Sequence, residues 1–210
     1  MADDAEHEAR IQQLDWSGLR WLWEGISRRD TPNWAPGRAF EYLVLRAFQL
    51  DGAEVRWPYS ILMEDEVVEQ IDGAVHWGWL SCLVESKDTT KPISVEPIAK
   101  MRNQLLRRPS SSVGLIFSHA GFTQPAVLLA RYISIQTILL WEGEEIDHAL
   151  KQQRIGKFLE RKYRECVETG APDTNILKAR QVLDPEQGDG EGRWGVERVV
   201  NLAVLHANTT

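Results

Sequence analysis

A chain of 210 residues, 43% hydrophobic and 26% charged, is long enough for one globular domain with a sizeable core. No apolar run approaches the roughly 20 residues that cross a bilayer, and the opening MADDAEHEAR lacks the basic-then-apolar order of a signal peptide, so a cytoplasmic protein without a membrane partner is expected. The two cysteines, Cys82 and Cys166, form no CxxC and have no neighbouring histidine, which argues against a disulfide framework or a zinc site.

Apolar residues at Trp16, Leu19, Trp23 and Ile26 follow helical spacing, and Pro32 and Pro36 end that segment. Residues 1–36 therefore read as an N-terminal helical extension. Gly37 to Leu50 predicts a helix with one stripe of Phe40, Leu43, Val44, Ala47 and Leu50, closed by Asp51-Gly52. From Ala53 to Met63 the pattern alternates, predicting a strand that Pro58 confines to an edge or marks with a bulge. After the acidic turn Glu64 to Glu66, Val67 to Trp77 and Trp79 to Lys87 predict two strands joined at Trp77-Gly78. Ser94 is placed to cap a helix running to about Arg107. Val113 to Ser118 and Ile135 to Trp141 are short apolar strands buried on both faces, with a helix from Gln124 to Tyr132 between them, capped by Thr123. Helix resumes from Glu144 through Val167. Residues 168–210 read as a C-terminal helix, a linker DPEQGDGEGRWG and an apolar tail from Val196 to His206. The order α-β-β-β-α-β-α-β implies an α/β fold with a mixed central sheet flanked by helices, in a domain over residues 37–167.

The net charge of −7 hides an uneven distribution. Lys87, Lys91, Lys100, Arg102, Arg107 and Arg108 face only Asp88 and Glu96 in their stretch, and a second basic run extends from Lys151 to Arg164. Such stretches suit phosphate contacts and equally suit solvated helix faces. His119, just after a buried strand, sits where open α/β sheets bind ligands, so it joins the candidate phosphate contacts beside the ordinary reading of a solvated loop histidine. Trp16, Trp21 and Trp23 crowd one helix beyond what a single stripe holds, which suggests an interface or a base-stacking platform beside plain core packing.

Two Glu-x-Lys triplets occur. Glu160-Arg161-Lys162 lies in a predicted helix, where residues two apart diverge, and reads as surface decoration. Glu85-Ser86-Lys87 lies in a predicted strand, where residues two apart share a face. With the turn at Trp77-Gly78, Asp72 falls opposite Leu83 and is the diagonal neighbour of Glu85, on the same face. Two carboxylates and a lysine gathered at a sheet edge suit either a structural salt bridge or a site for a divalent cation.

The segments GRAFEYLVLRAFQLDGAEV, QIDGAV, LVESKD, VGLIFSHAGFTQPAVLLA and IQTILLWEGEEI, in that order over residues 37–150, resemble the PD-(D/E)xK nuclease superfamily and, within it, the Mrr-type restriction endonuclease domain. The resemblance implies a restriction-endonuclease-like core and an endodeoxyribonuclease of restriction or anti-phage defence. It implies that Asp72, Glu85 and the backbone carbonyl of Ser86 hold Mg²⁺, with Mn²⁺ as a substitute, while Lys87 acts on the attacking water. It further implies accessory roles for Glu41 and for Gln104 near the active centre. Ser86 stands where such domains often have Cys, and no acidic partner follows Asp72. DNA is the expected substrate with RNA left open, and a homodimer or a partner protein engaged through the terminal segments is expected by analogy. The competing reading is a catalytically idle nucleic-acid-binding or scaffold module with the same fold.

Overall fold

The computed structural model describes residues 4–132 and 137–177; the expected linker and apolar tail lie outside the described residues. Three helices open the chain: α1 (Asp4–Gln12), α2 (Trp16–Arg28) and α3 (Arg38–Leu50). The Asp15 carboxylate caps α2 by accepting from the Gly18 amide at 2.8 Å. Gly37, at φ 81°, supplies the left-handed residue from which α3 starts. α3 buries Tyr42, Leu45 and Phe48 as well as Phe40, Leu43, Val44 and Ala47 of the expected stripe, with Leu50 partly buried, so it is apolar nearly all round. A helix of that kind must be covered on more than one side. Ile11, Leu19, Trp23 and Ile26 supply the outer cover and share one core with it, so residues expected as an extension are built into the fold.

The sheet runs β1 (Glu54–Arg56), β4 (Gly73–Trp77), β5 (Leu80–Lys87), β6 (Val113–Ser118), β7 (Thr137–Glu142), in that spatial order. Pairing is antiparallel from β1 to β5 and parallel from β5 to β7. A separate antiparallel ribbon joins β2 (Tyr59–Met63) to β3 (Glu66–Ile71). Each of the two long strands expected here is thus broken in two. The first breaks at Trp57-Pro58, where proline has no N–H for the ladder. Its neighbour breaks at the same level: Arg56 pairs with Ala74 in the main sheet, and Tyr59 pairs with Ile71 in the ribbon. Asp72 is the residue at that bend. Gly73 follows because a Cβ there would stand 2.6 Å from the Leu45 side chain and 3.0 Å from the Arg56 carbonyl oxygen. The glycine lets the sheet close on α3.

The β5–β6 crossover carries α4 (Val95–Leu105) and the β6–β7 crossover carries α5 (Gln124–Tyr132). Both pack on the sheet face that presents Ala74, Leu83, Ile116 and Leu140. Val75, Val84, Phe117 and Trp141 alternate onto the opposite face, against α3. The protein is therefore an α/β fold with a mixed five-stranded sheet flanked by helices. Ser94 precedes α4 without a side-chain capping hydrogen bond, and the helix ends at Leu105, short of Arg107. No helix among the described residues is long and apolar enough to cross a membrane.

The long final helix is two helices, α6 (Gly143–Gln152) and α7 (Ile155–Thr169), separated where Gln153 turns left-handed at φ 57°. Lys162, read from the sequence as surface decoration, is completely buried. Its Nζ lies 2.6 Å from Glu145 Oε1 and donates to the Thr174 carbonyl oxygen, 5.2 Å from the centre of the Trp141 ring. A helix of alternating charges gives no sign of which lysine turns inward; the segment after α7, folding back over α6, decides it. Removing one member of such a pair strands the other without water. Lys162→Met should destabilise the fold by about 3 kcal/mol in urea unfolding, whereas Lys157→Met, which breaks the open Lys157–Glu160 pair and a 6.0 Å contact with the Trp77 ring, should cost under about 1 kcal/mol. Equal costs would contradict the buried placement of Lys162.

Candidate active site

The β4–β5 hairpin closes through Gly78 and Trp79, with Trp77 opposite Leu80, rather than through Trp77-Gly78. Gly78 has φ 56°, the value such a turn demands. The register is therefore two residues away from the expected one, and continuing the ladder past Gly73–Val84 sets Asp72 opposite Glu85. A shift of two preserves the face, since side chains alternate with period two. Asp72, Glu85 and Lys87 thus still share one side of the sheet.

At the bend, Asp72 Oδ2 accepts a hydrogen bond of 2.8 Å from the Ser86 amide. Burial first, then the Glu85 and Glu41 carboxylates, push the Asp72 carboxyl up to about 7, against the opposing pull of Lys87 and the Ser86 amide. Glu85 is 1% exposed, and two ammonium groups hold it: Lys87 Nζ at 2.5 Å from Oε1 and Lys100 Nζ at 2.7 Å from Oε2. The first contact is a tight ion pair. The second is a hydrogen bond. Burial disfavours the Lys87 ammonium, but the Glu85 and Asp72 carboxylates outweigh it and hold its pKa above the ordinary lysine value. Lys87 is consequently charged at neutral pH and can donate a hydrogen bond but not take a proton.

Glu41, in the first turn of α3, pairs with Arg38 at 2.6 Å, and its charge reaches both Asp72 and Lys87. Beyond Glu85 a groove of about 530 Å³ opens at the start of α4, bounded by Glu85, Lys87, Lys91, Ser94, Glu96 and Lys100. The Ser86 hydroxyl is buried without a hydrogen-bond partner. Among the described residues, no three His, Cys, Asp or Glu side chains converge as a group that could hold a metal ion.

Other expected site residues have different employment. Gln104 donates to the Gln70 carbonyl oxygen at 3.3 Å, steadying β3 just before the bend rather than touching either carboxylate. Arg107 and Arg108 both pair with the buried Glu69 of β3, which offers a nearer and permanent counter-charge than solvent-side phosphate. Arg102 is exposed on α4 and Lys91 is exposed on the groove wall. His119 packs its ring 5.1 Å from that of Trp23, with Nε2 3.3 Å from the Ser27 hydroxyl. Burial, then the Arg29 charge, hold the His119 imidazole below its ordinary value. The His119 amide donates to the Lys87 carbonyl oxygen at 3.2 Å, and Arg29 pairs with Asp88, so α2 braces the strand end that carries Lys87. Lys100, expected as a nucleic-acid contact, also pairs with Glu85, a contact that the sequence reading did not foresee. Its spacing of four from both Glu96 and Gln104 marks one polar face of α4, and a crossover helix after β5 must lay one face on that strand.

The sequence matches no family model and no curated protein. A crystal structure of a protein of unknown function, AF1548, resembles it with a TM-score of 0.43 and 17% identity, over 62% of this chain and 76% of that one.

A carboxyl raised in the folded state gives stability that is present below its unfolded value and is lost as pH rises through its folded value. For Asp72 that window runs from 3.8 to about 7. Asp72→Asn keeps an acceptor for the Ser86 amide and removes the charge. Without divalent ions, the melting temperature of the variant minus that of the wild type should widen by roughly 5 °C between pH 4 and pH 8. Parallel pH profiles would show that Asp72 is not strained by its neighbours.

Proposed function

We propose that the protein is a metal-dependent phosphodiesterase of the PD-(D/E)xK kind, most simply an endodeoxyribonuclease of restriction or defence, with a restriction-endonuclease-like core. The observation that carries this reading is the meeting of Asp72, Glu85 and Lys87 at one bend of the sheet, with Asp72 raised to about 7 by burial and then by the like charges beside it. Such crowding of carboxylates has a purpose where a cation relieves it. A helix, a set of antiparallel strands with the bend at Asp72, and the β5–α4–β6 and β6–α5–β7 crossovers support that reading, although two of the expected strands are each divided in two.

Asp72, Glu85 and the Ser86 carbonyl are hard oxygen donors of the type that suits Mg²⁺ or Mn²⁺. The bound ion would supply Lewis acidity toward a phosphate oxygen and a more acidic water. The chain's own part follows from its charges. Asp72 must release its proton before it can ligate, so cation uptake strengthens as pH rises through about 7. Lys87, held as an ammonium, orients the attacking water and balances charge building on the phosphoryl oxygens rather than acting as a base. Lys91 and Lys100 face the groove in which the strand would lie, while Arg107 and Arg108, occupied by Glu69, contribute less than their number suggests. Cutting both strands of a duplex calls for two such sites, hence a homodimer or a partner protein.

A second reading has one observation in its favour. With no three-residue metal cluster among the described residues and both Glu85 oxygens beside lysines, the same fold serves a catalytically idle module that binds nucleic acid through its lysines. A cleavage panel over single- and double-stranded DNA, modified DNA and RNA, with Mg²⁺ or Mn²⁺, separates the two. The nuclease reading expects products that EDTA abolishes, and a rate at least about 100-fold lower in Lys87→Ala. Salt-sensitive binding without product in any lane supports the idle module, and undiminished cleavage by Lys87→Ala removes the proposed mechanism.

A further inference from the structure

Glu85 has two cations on one carboxylate, and they are not equivalent. Lys87 belongs to the same strand, two residues on, and the Glu85, Asp72 and Glu41 charges all hold it in place. Lys100 comes from α4 with a side chain 41% exposed, its ammonium set on the floor of the groove at Glu85 Oε2. One turn earlier on the same helix, Glu96 also lines the groove, at the spacing that lets a lysine swing to a second carboxylate. A lysine ammonium is a compact charge on a flexible stem, so exchanging partners costs it little geometry. A divalent cation on Oε2 would have to share that oxygen with the Lys100 ammonium at 2.7 Å, and two positive charges on one oxygen repel.

We propose that Lys100 is a displaceable latch on Glu85, drawn off by a backbone phosphate of a nucleic acid entering the groove, so that nucleic acid and divalent cation load cooperatively. The inference rests on the phosphodiesterase reading of the same carboxylates and adds to it how the site is kept closed to ions. A phosphate at the groove mouth meets Lys91, Lys100 and the positive end of α4, and each is a reason for Lys100 to leave a carboxylate already neutralised by Lys87. Departure of the Lys100 charge removes one of two cations that repel an incoming metal and frees the oxygen it needs. Because such coupling is reciprocal, the cation must tighten nucleic-acid binding by the same factor. Lys100 is in this sense a positioning residue: it governs the availability of Glu85.

The test is Mn²⁺ binding to the full chain, by calorimetry or electron paramagnetic resonance, with and without a phosphorothioate duplex that resists hydrolysis. Wild type should bind Mn²⁺ about tenfold tighter when the duplex is present. Lys100→Met should show about that gain with no duplex and little further change on adding it. Lys100→Arg, which keeps the charge, should behave as wild type and serves as the folded reference, with circular dichroism melts on all three and Lys100→Gln replacing any variant that fails to fold. Wild-type Mn²⁺ affinity in Lys100→Met, or a duplex effect of full size in it, overturns the latch while leaving metal-dependent cleavage intact. No Mn²⁺ uptake by wild type or Lys100→Met under any condition, with the duplex still bound, removes the metal reading itself and the latch with it.

Discussion

A carboxylate with almost no contact with water, paired to two lysines and set beside a second, half-buried carboxylate, is the constraint around which this fold is arranged. Moving a charge such as Glu85 out of water costs several kcal/mol unless partners compensate. Lys87 and Lys100 supply the compensation from two different elements, so β5 and α4 are tied at the point where the sheet turns parallel. Asp72 receives less: one amide hydrogen bond and a share of Lys87, against the Glu85 and Glu41 charges. The imbalance shows in its raised pKa. One acid of the pair is fully compensated and the other is not, which is the condition that divides roles between two like groups.

The bend that brings Asp72 there depends on features distributed along the chain. Pro58 interrupts one strand, the partner strand leaves the main sheet at the same level, and Gly73 allows the backbone to press against Leu45 of α3. α3 can hold that position because α1 and α2 cover its other side. The same α2 reaches round to the far end of β5 through the Arg29–Asp88 pair and the Trp23–His119 contact. The opening helices, which from the sequence look like an addition to the domain, hold both ends of the motif in place.

How much of this could be read in advance depended on whether the deciding interaction was local. Alternation along Val75 to Lys87 predicts strands and assigns each residue a face, and faces survive the two-residue error in register because the period is two. The triad therefore emerges correctly from a turn placed wrongly. The sites of strand breakage do not emerge, since Trp57-Pro58 marks a disturbance but only the second strand's departure makes it a change of sheet. Charged residues were the least legible. Lys162 and Lys157 look alike in the sequence, yet one is enclosed with Glu145 and the other is in solvent. Arg107 and Arg108 look available until Glu69 is found beside them. Pairing partners 39 residues apart are set by tertiary packing, and no periodicity encodes them.

The local charge count bears on what the site can accept. Glu41, Asp72 and Glu85 face Arg38, Lys87 and Lys100, so the cluster is near neutrality as it stands, with Asp72 able to keep its proton near pH 7. A divalent cation added to that arrangement overshoots unless something positive leaves or the Asp72 proton is given up. Arg38 is fixed by Asp4 as well as Glu41, and Lys87 is held by Glu85, which it shares with Lys100, together with the Asp72 and Glu41 charges. On the proposed reading the two adjustable charges are the Asp72 proton and the Lys100 ammonium, one responding to pH and the other to an anion in the groove. A cluster balanced in this way would be kept from cations by its own lysines until an anion drew one of them off.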